Sequence, residues 1–164
     1  KESGEIDFFN ENKRVENTND NSNSLIGYVH QKPYLFIGSL VENITMFSKE
    51  PDMEKVNKII KQCRLDDFAS QRGLNTPLDN SNNSISLGEM QRISLARILY
   101  LDKPILFLDE VTSSLDENNA HAINDAIQEL DNKLVIWISH DKDTQNLTWI
   151  DQKLIIQDSK LIEA

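Results

Sequence analysis

The feature that most constrains the fold is a helix, a proline break and a short apolar strand that follow one another from Ser86 onwards. Ser86 and Glu89 have the spacing of a capping box, in which each side chain binds a backbone N–H of the first helical turn. Pro104 ends the helical pattern, and residues 105–108 are too apolar for a strand with one face in water. These elements predict an α/β fold with a mostly parallel sheet core.

Two adjacent carboxylates, Asp109 and Glu110, end the apolar strand. Open α/β sheets bind ligands at the carboxyl ends of their strands, and successive strand residues point to opposite sides. The two carboxylates can therefore serve different roles, with Asp109 holding Mg²⁺ and Glu110 orienting or deprotonating a water molecule. For the pair alone, a strand that ends in solvated acids is the alternative interpretation.

The start of the helix is a second candidate site. Gly88 lies in the first turn, where glycine costs about 1 kcal/mol relative to alanine, so its presence indicates a close approach to the backbone. Helix N-termini attract phosphate through N–H groups and the helix dipole. Ser86 and Gly88 are thus candidate phosphate-binding residues, with Glu89 as the partner of Ser86 in the capping box, and an ordinary helix cap is the alternative.

Length and composition limit the possible functions. A chain of 164 residues suits one domain, and its net charge of −10 argues against a nucleic-acid surface and against adhesion to an anionic bilayer. The sequence has no apolar run near the roughly 20 residues that span a membrane. The lone Cys63 excludes a disulfide framework and fits a reducing cytosol.

Other segments predict the rest of the architecture. A strand at residues 25–29 leads to Gln31 and to a turn in which aromatic side chains pack beneath a proline. Ser39 and Asp52 begin helices, residues 65–72 continue the helical region, and an amphipathic helix follows Asp116. Residues 134–138 predict a fully buried strand that ends near His140, where a structural histidine is the alternative to a catalytic one. Residues 153–162 predict a terminal hairpin, and residues 4–9 a half-buried strand.

A phosphate-binding loop of the form G-x-x-x-x-G-K-[ST] does not occur in this sequence, whose five glycines are scattered. Such a loop cradles the α- and β-phosphates and supplies a lysine to the β- and γ-phosphates. We therefore expect the chain to begin after this loop and to be the C-terminal part of a longer protein.

Taken together, the order and spacing of these motifs resemble the nucleotide-binding domain of ATP-binding cassette (ABC) transporters. That family has a signature motif, commonly LSGGQ, then a Walker B strand ending in Asp-Glu, and then a D-loop of the form S-A/S-L-D. The corresponding residues here are 85–89, 105–110 and 113–116. Leu87 stands where the first signature glycine is usual, and Glu89 where glutamine is common.

The resemblance implies catalytic roles for Gln31, Glu110 and His140 and metal-binding roles for Gln31 and Asp109. Gln31 matches the Q-loop and would reach Mg²⁺ and the attacking water. Asp109 would hold Mg²⁺, and Glu110 would activate the water. His140 matches the H-loop, whose histidine contacts the γ-phosphate of ATP and steadies the Walker B glutamate.

The same resemblance implies two partners. Two cassettes of this family dimerise head to tail, so Ser86, Gly88 and Glu89 would bind the ATP of a second nucleotide-binding domain, and Asp116 would report across the interface. The segment from Pro33 through Tyr34 to Phe36 would form part of the groove for the transmembrane domains, whereas the residues alone favour a turn with packed aromatics.

The resemblance further implies a sheet of the P-loop NTPase type, with residues 1–31 and 104–164 as the α/β core and residues 32–103 as an inserted helical subdomain. It implies an ATPase of an exporter-type transporter on the cytoplasmic side of the cell membrane, inactive as this chain alone because Walker A is missing. Two alternatives remain: a non-hydrolysing regulatory or interaction module with this fold, and an ABC ATPase of DNA repair, which would need a coiled-coil insertion.

Overall fold

The computed structural model describes residues 8–10, 13–15, 25–78, 85–113, 115–140, 147–157 and 160–163. The strands in these ranges are β1 (Phe8–Asn10), β2 (Lys13–Val15), β3 (Ile26–Val29), β4 (Gly38–Ser39), β5 (Pro77–Leu78), β6 (Ile105–Asp109), β7 (Leu134–Ile138), β8 (Leu154–Gln157) and β9 (Lys160–Glu163). The helices are α1 (Leu40–Thr45), α2 (Met53–Gln62), α3 (Asp66–Arg72), α4 (Leu87–Leu101) and α5 (Glu117–Gln128).

The central sheet is parallel, as predicted, with the strand order β3-β6-β7. Val29 pairs with Leu108, and Asp109 pairs with Ile138, so the carboxyl ends of all three strands lie at one edge. Leu106 and Leu108 of the middle strand are buried. This register places the residues that follow the three strands close to one another.

Helix α4 covers the sheet and joins it to the other helices, because it packs against β3, α1 and α2. Its buried face includes Ile93, Ala96 and Leu99. Gly27 of β3 leaves room for this helix, since a Cβ atom there would lie 2.5 Å from Cγ2 of Ile98. The position of α4 therefore depends on a glycine in the neighbouring strand.

Helices α1 and α2 begin where their caps were predicted. Ser39 and Glu42 form a capping box at α1, and the hydrogen bond from the Ser39 backbone N–H lowers the pKa of the Glu42 carboxyl. The Asp52 side chain caps α2. The predicted helical region breaks between α2 and α3, where Arg64 adopts a left-handed backbone with φ 50°. Next to this break, burial raises the pKa of the Cys63 thiol to about 12.

The prediction that β7 is fully buried was wrong for the described part of the chain. Leu134, Ile136 and Ile138 are 56%, 39% and 49% exposed. Within the described sheet β7 is an edge strand that pairs with β6 only, so the side chains on one of its faces remain accessible to solvent. The other row packs inward, and the Trp137 ring stacks on Trp149 with centroids 6.2 Å apart.

Three antiparallel pairs complete the described structure: β1 with β2, β4 with β5, and β8 with β9. The last pair confirms the predicted terminal hairpin. The β4–β5 pair was not predicted, and residues 4–7 of the predicted first strand lie outside the described residues. None of the helices in the described ranges has the length and apolar character needed to cross a bilayer.

Candidate functional site at the carboxyl edge of the sheet

The parallel sheet brings together four of the residues singled out from the sequence. Gln31 comes two residues after β3, Asp109 is the last residue of β6, Glu110 follows it, and His140 comes two residues after β7. Because the strands are parallel, these positions share one edge of the sheet, where open α/β folds bind ligands.

Glu110 is the centre of this group. Its Oε2 accepts a hydrogen bond from Nε2 of Gln31 at 2.5 Å, and its Oε1 lies 2.9 Å from Nε2 of His140. The Glu110 side chain is 18% exposed, whereas His140 is 83% exposed. A carboxylate oxygen offers two lone pairs, so Glu110 can hold both neighbours and still accept a hydrogen bond from a water molecule.

The backbone at Glu110 turns sharply. Its φ of 47° is left-handed, which is uncommon for a residue other than glycine. Three hydrogen bonds hold the turn: the Glu110 N–H donates to the Ile138 carbonyl at 2.9 Å, and the Ser113 N–H and hydroxyl donate to the Glu110 carbonyl at 3.2 and 3.0 Å. Backbone strain that is held in this way concentrates at functional sites.

Asp109 has a partner that the sequence did not indicate. The Tyr28 hydroxyl donates to Oδ2 of Asp109 at 2.7 Å, and this hydrogen bond raises the pKa of Tyr28. The Tyr28 ring also contacts His30, with ring centroids 4.5 Å apart. Tyr28 and Asp109 lie on adjacent strands but 81 residues apart in sequence.

The oxygen atoms at this edge suit Mg²⁺ that is shared with phosphates. Among the described residues, no three His, Cys, Asp or Glu side chains converge as a metal-binding group. Mg²⁺ is usually held by one or two carboxylates together with substrate phosphates and water, so a complete protein cage is not required. Asp109 could supply the carboxylate and Gln31 its amide oxygen.

The capped start of α4 forms a second group. The Ser86 hydroxyl accepts from the Glu89 N–H at 3.2 Å, and Oε2 of Glu89 accepts from the Ser86 N–H at 2.7 Å. This is the predicted capping box. Gly88 is buried, and a Cβ atom on it would lie 2.6 to 2.9 Å from atoms of the Asn119 side chain. Within the chain, the close approach expected at Gly88 is made by this asparagine.

Asn119 joins the signature helix to the predicted D-loop residue. Asp116 caps α5, where its carboxylate accepts from the Asn119 N–H at 3.0 Å and from Nδ2 of Asn119 at 2.5 Å. The first of these bonds lowers the pKa of Asp116. The oxygen of Asn119 accepts a hydrogen bond from Arg92 of α4. Sequence reasoning missed Asn119, because its role depends on a contact between two helices.

Helix α4 also contacts the residue before Gln31. Gln91 is buried, and its Nε2 donates to the His30 carbonyl at 3.3 Å. The helix that begins at Ser86 is therefore attached, one turn later, to the loop that carries Gln31.

The parallel sheet, the carboxylate pair at its edge and the capped helix beside it define a P-loop NTPase-like α/β protein. Within this class, the chain belongs to the ABC transporter family, whose family model matches residues 1–113. The matched range includes Gln31, Ser86 and Glu110. The predicted fold class and family are confirmed.

Several curated relatives have similar sequences. The Mesentericin-Y105 transport/processing ATP-binding protein MesD of Leuconostoc mesenteroides is 34% identical over 141 residues, which cover 84% of this chain and 19% of the relative. The transport/processing ATP-binding protein ComA of Streptococcus pneumoniae is 35% identical over 142 residues, which cover 82% and 20%. The ATP-dependent lipid A-core flippase of Saccharophagus degradans is 33% identical and is covered to 24% of its length.

A solved structure gives a similar result. A bacterial Atm1-family ABC exporter with ATP bound superposes with a TM-score of 0.71 and 25% sequence identity, over 82% of this chain and 24% of that one. The chain spans about a fifth of the length of the first two curated relatives described above.

Proposed function

We propose that this chain is part of the ATP-binding and hydrolysing domain that powers an ABC exporter. The observation that carries the proposal is the position of Glu110, whose carboxylate is held by Gln31 on one oxygen and faces His140 on the other. This arrangement suits a general base that is oriented by two neighbours. The exporter and transport/processing proteins among the relatives support the direction of transport.

In this proposal the residues at the sheet edge act on the nucleotide of their own subunit. Glu110 accepts a hydrogen bond from the attacking water and takes up its proton, while Gln31 and His140 fix the orientation of the carboxylate. Asp109 and the amide oxygen of Gln31 would hold Mg²⁺, and the Tyr28 hydroxyl fixes Asp109 by a hydrogen bond of 2.7 Å. When bound, Mg²⁺ supplies charge neutralisation at the phosphates.

The start of α4 serves the nucleotide of a second cassette. Ser86, Gly88 and Glu89 lie at a helix N-terminus, whose dipole and N–H groups favour a phosphate. Asp116 is attached to the same helix through Asn119 and Arg92, which connects the D-loop residue that would face the partner to the helix of the signature residues. We assign residues 32–103 to a helical subdomain and residues 1–31 and 104–164 to the α/β core.

The transmembrane domains of the exporter are the other partner, on the cytoplasmic side of the membrane. They would contact the surface near Pro33, Tyr34 and Phe36, where Tyr34 is exposed and the other two are half-buried. This segment directly follows Gln31 in the chain. A movement of the transmembrane domains that displaces this surface can therefore change the position of Gln31, which orients Glu110.

The test is Glu110→Gln in the full-length parent protein, with Glu129→Gln as the matched control because Glu129 is an exposed acidic residue at the end of α5. Glu110→Gln should lower ATP turnover by about 10²- to 10⁴-fold, the usual contribution of a general base. ATP binding should persist and trap the closed dimer, as followed by size-exclusion chromatography. Near-normal turnover in Glu110→Gln would remove Glu110 from the catalytic role.

The chain by itself should not hydrolyse ATP at enzymatic rates. Phosphoryl transfer depends on positioning and charge neutralisation, and these 164 residues contain no phosphate-binding loop of the Walker A form. The measurement is Mg²⁺-dependent phosphate release from the pure chain. A rate of about 1 s⁻¹ or more that Glu110→Gln abolishes would contradict this expectation. A parent that binds ATP but never hydrolyses it would favour a regulatory module with this fold.

A further inference from the structure

Arg97 of α4 carries a buried charge whose partners among the described residues are neutral. It is 4% exposed. Its Nε donates to the Asn43 carbonyl at 3.1 Å, and its Nη2 donates to Oδ1 of Asn43 at 3.1 Å and to the Tyr34 carbonyl at 3.3 Å. A buried cation is costly without such hydrogen bonds, so these contacts are needed to keep it in place.

Two aromatic rings complete the site around this cation. The guanidinium carbon lies 5.0 Å from the centroid of the Tyr34 ring and 4.6 Å from that of the Phe36 ring, within the range of cation–π attraction. The two rings contact each other edge to face, with centroids 5.2 Å apart. Arg97 therefore holds both the backbone and the side chains of this segment.

Asn43 of α1 forms a second link between Arg97 and residues 34–36, because it is hydrogen-bonded to both. It is fully buried, and its Oδ1 accepts from the Phe36 N–H at 2.9 Å. Its Nδ2 donates to the carbonyls of Phe36 and Ser39 at 3.1 and 3.0 Å. Because one Asn43 oxygen serves both Phe36 and Arg97, loss of the cation would disturb the Phe36 hydrogen bond.

This network lies directly beneath an exposed surface. Tyr34 is 49% exposed and Ile37 is 95% exposed. The backbone between them is attached to α4 through Arg97, and α4 is the helix that begins at Ser86.

We propose that Arg97 is a positioning residue that fixes the shape of the surface at residues 34–37 and attaches it to helix α4. The inference rests on the proposed function in one respect, namely that this surface meets the transmembrane domains. The hydrogen bonds and ring contacts of the Arg97 guanidinium keep Tyr34 and Ile37 in one arrangement. A displacement of residues 34–37 therefore pulls on α4 through Arg97.

Lysine cannot replace arginine in this site. Arg97 uses Nε and Nη2 at once, in a planar fork that also lies over two rings, whereas a lysine ammonium is a compact point charge on a flexible stem. Arg97→Lys therefore keeps the positive charge and removes the planar set of hydrogen bonds to Asn43 and Tyr34. It is a sharper test than a change to an apolar residue.

The experiment measures amide hydrogen exchange in the full-length parent, with the peptide that contains the Phe36 N–H as the readout. In Arg97→Lys this peptide should exchange about tenfold faster, while peptides of β3 and β6 keep their protection, because only the local opening becomes easier. Arg64→Lys is the control for a lost arginine, since Arg64 is exposed and pairs with Asp125 at 2.7 Å. Ile93→Val is the control for a small loss of stability in the same helix.

Equal exchange of the Phe36 peptide in Arg97→Lys and in both controls would overturn the inference. The docking partner is tested separately with a benzophenone maleimide on Ile37→Cys in a parent that has no other reactive cysteine. In the otherwise unchanged protein, this probe should capture a peptide of the transmembrane domains, and Arg97→Lys should lower the yield several-fold relative to Ile93→Val. Absence of capture in the unchanged protein would count against the proposed docking, and the exchange experiment would still decide the role of Arg97.

Discussion

Substitution of Gly27 by alanine should destabilise the contact between strand β3 and helix α4. The added Cβ would lie 2.5 Å from Cγ2 of Ile98 and 3.1 Å from Cδ2 of Leu106, and both of these side chains are buried. A 2.5 Å contact between carbon atoms is far inside the optimal separation of about 3.5 to 4.0 Å, so the helix or the strand must move. Overpacking of this kind costs about 1 to 3 kcal/mol.

Part of this cost is offset in the unfolded state. Replacing glycine by alanine reduces the conformational entropy of the unfolded chain and contributes about 0.4 to 1 kcal/mol of stability. The difference between these two ranges gives a net loss in the free energy of unfolding for Gly27→Ala of about 0 to 2.6 kcal/mol, with a centre near 1 kcal/mol. For a chain of this size, each kcal/mol lowers Tm by about 2 to 4 °C.

The assay is a double-mutant cycle in urea denaturation with Gly27→Ala, Ile98→Ala and the pair. Ile98→Ala removes the Cγ2 atom and should cost about 2 to 5 kcal/mol alone. The double variant should be at least about 1 kcal/mol more stable than the sum of the single losses predicts, because the collision is gone. Single losses that add to within about 0.5 kcal/mol in the double variant would refute the reasoning.

Three further predictions concern the helix start and the buried thiol. Ser86→Ala should lower the free energy of unfolding by about 0.5 to 2 kcal/mol through loss of the cap, as measured by denaturant melts, and an unchanged melt would contradict the capping box. Gly88→Asp in the parent should abolish ATP-driven dimerisation, as measured by light scattering, but keep ATP binding. The control Gly88→Ala places the same Cβ atom against Asn119 without adding a charge. An equal loss of dimerisation in both variants would show that the effect is steric. Cys63 should resist thiol reagents at pH 8 until the chain unfolds, since burial raises its pKa to about 12. The pKa of the Cys63 thiol is about 12 in the folded protein and about 8.5 in the unfolded chain. The contribution of Cys63 to stability is therefore complete below about pH 8.5 and is lost as pH rises towards 12. An unfolding midpoint that rises between about pH 8.5 and 12 would contradict this prediction.

Features that depend on neighbouring residues were predictable from the sequence. The Ser86 and Ser39 caps follow from spacings of three residues, and both capping boxes are formed. The parallel sheet follows from short apolar runs separated by helical patterns, and its parallel direction brings Gln31, Glu110 and His140 together without further information.

Side-chain contacts between distant segments were not predictable where they do not follow from the shared carboxyl ends of the parallel strands. Tyr28 and Asp109 are 81 residues apart, Asn43 and Arg97 are 54 apart, and Arg92 and Asn119 are 27 apart. No periodicity relates such positions, so the sequence gives no signal for the pairs.

The burial of a strand also cannot be predicted from its own sequence pattern. Residues 105–108 and 134–138 are equally apolar runs, yet within the described sheet β6 lies between two strands and β7 pairs with one. The same composition thus suits a central strand and an edge strand, and only the topology distinguishes them. The two-residue strands β4 and β5 are too short for any alternation to be recognised.

The stacking of Trp137 on Trp149 has a practical consequence for spectroscopy. These are the only two tryptophans in the chain, and their rings lie 30° from coplanar beside β7. Intrinsic emission therefore reports from one corner of the molecule, three residues before His140, whereas far-ultraviolet circular dichroism averages over all the helices. Coincident unfolding curves from the two signals would indicate that this corner and the helices melt as one cooperative unit, and an earlier emission change would indicate that the β7 edge opens first.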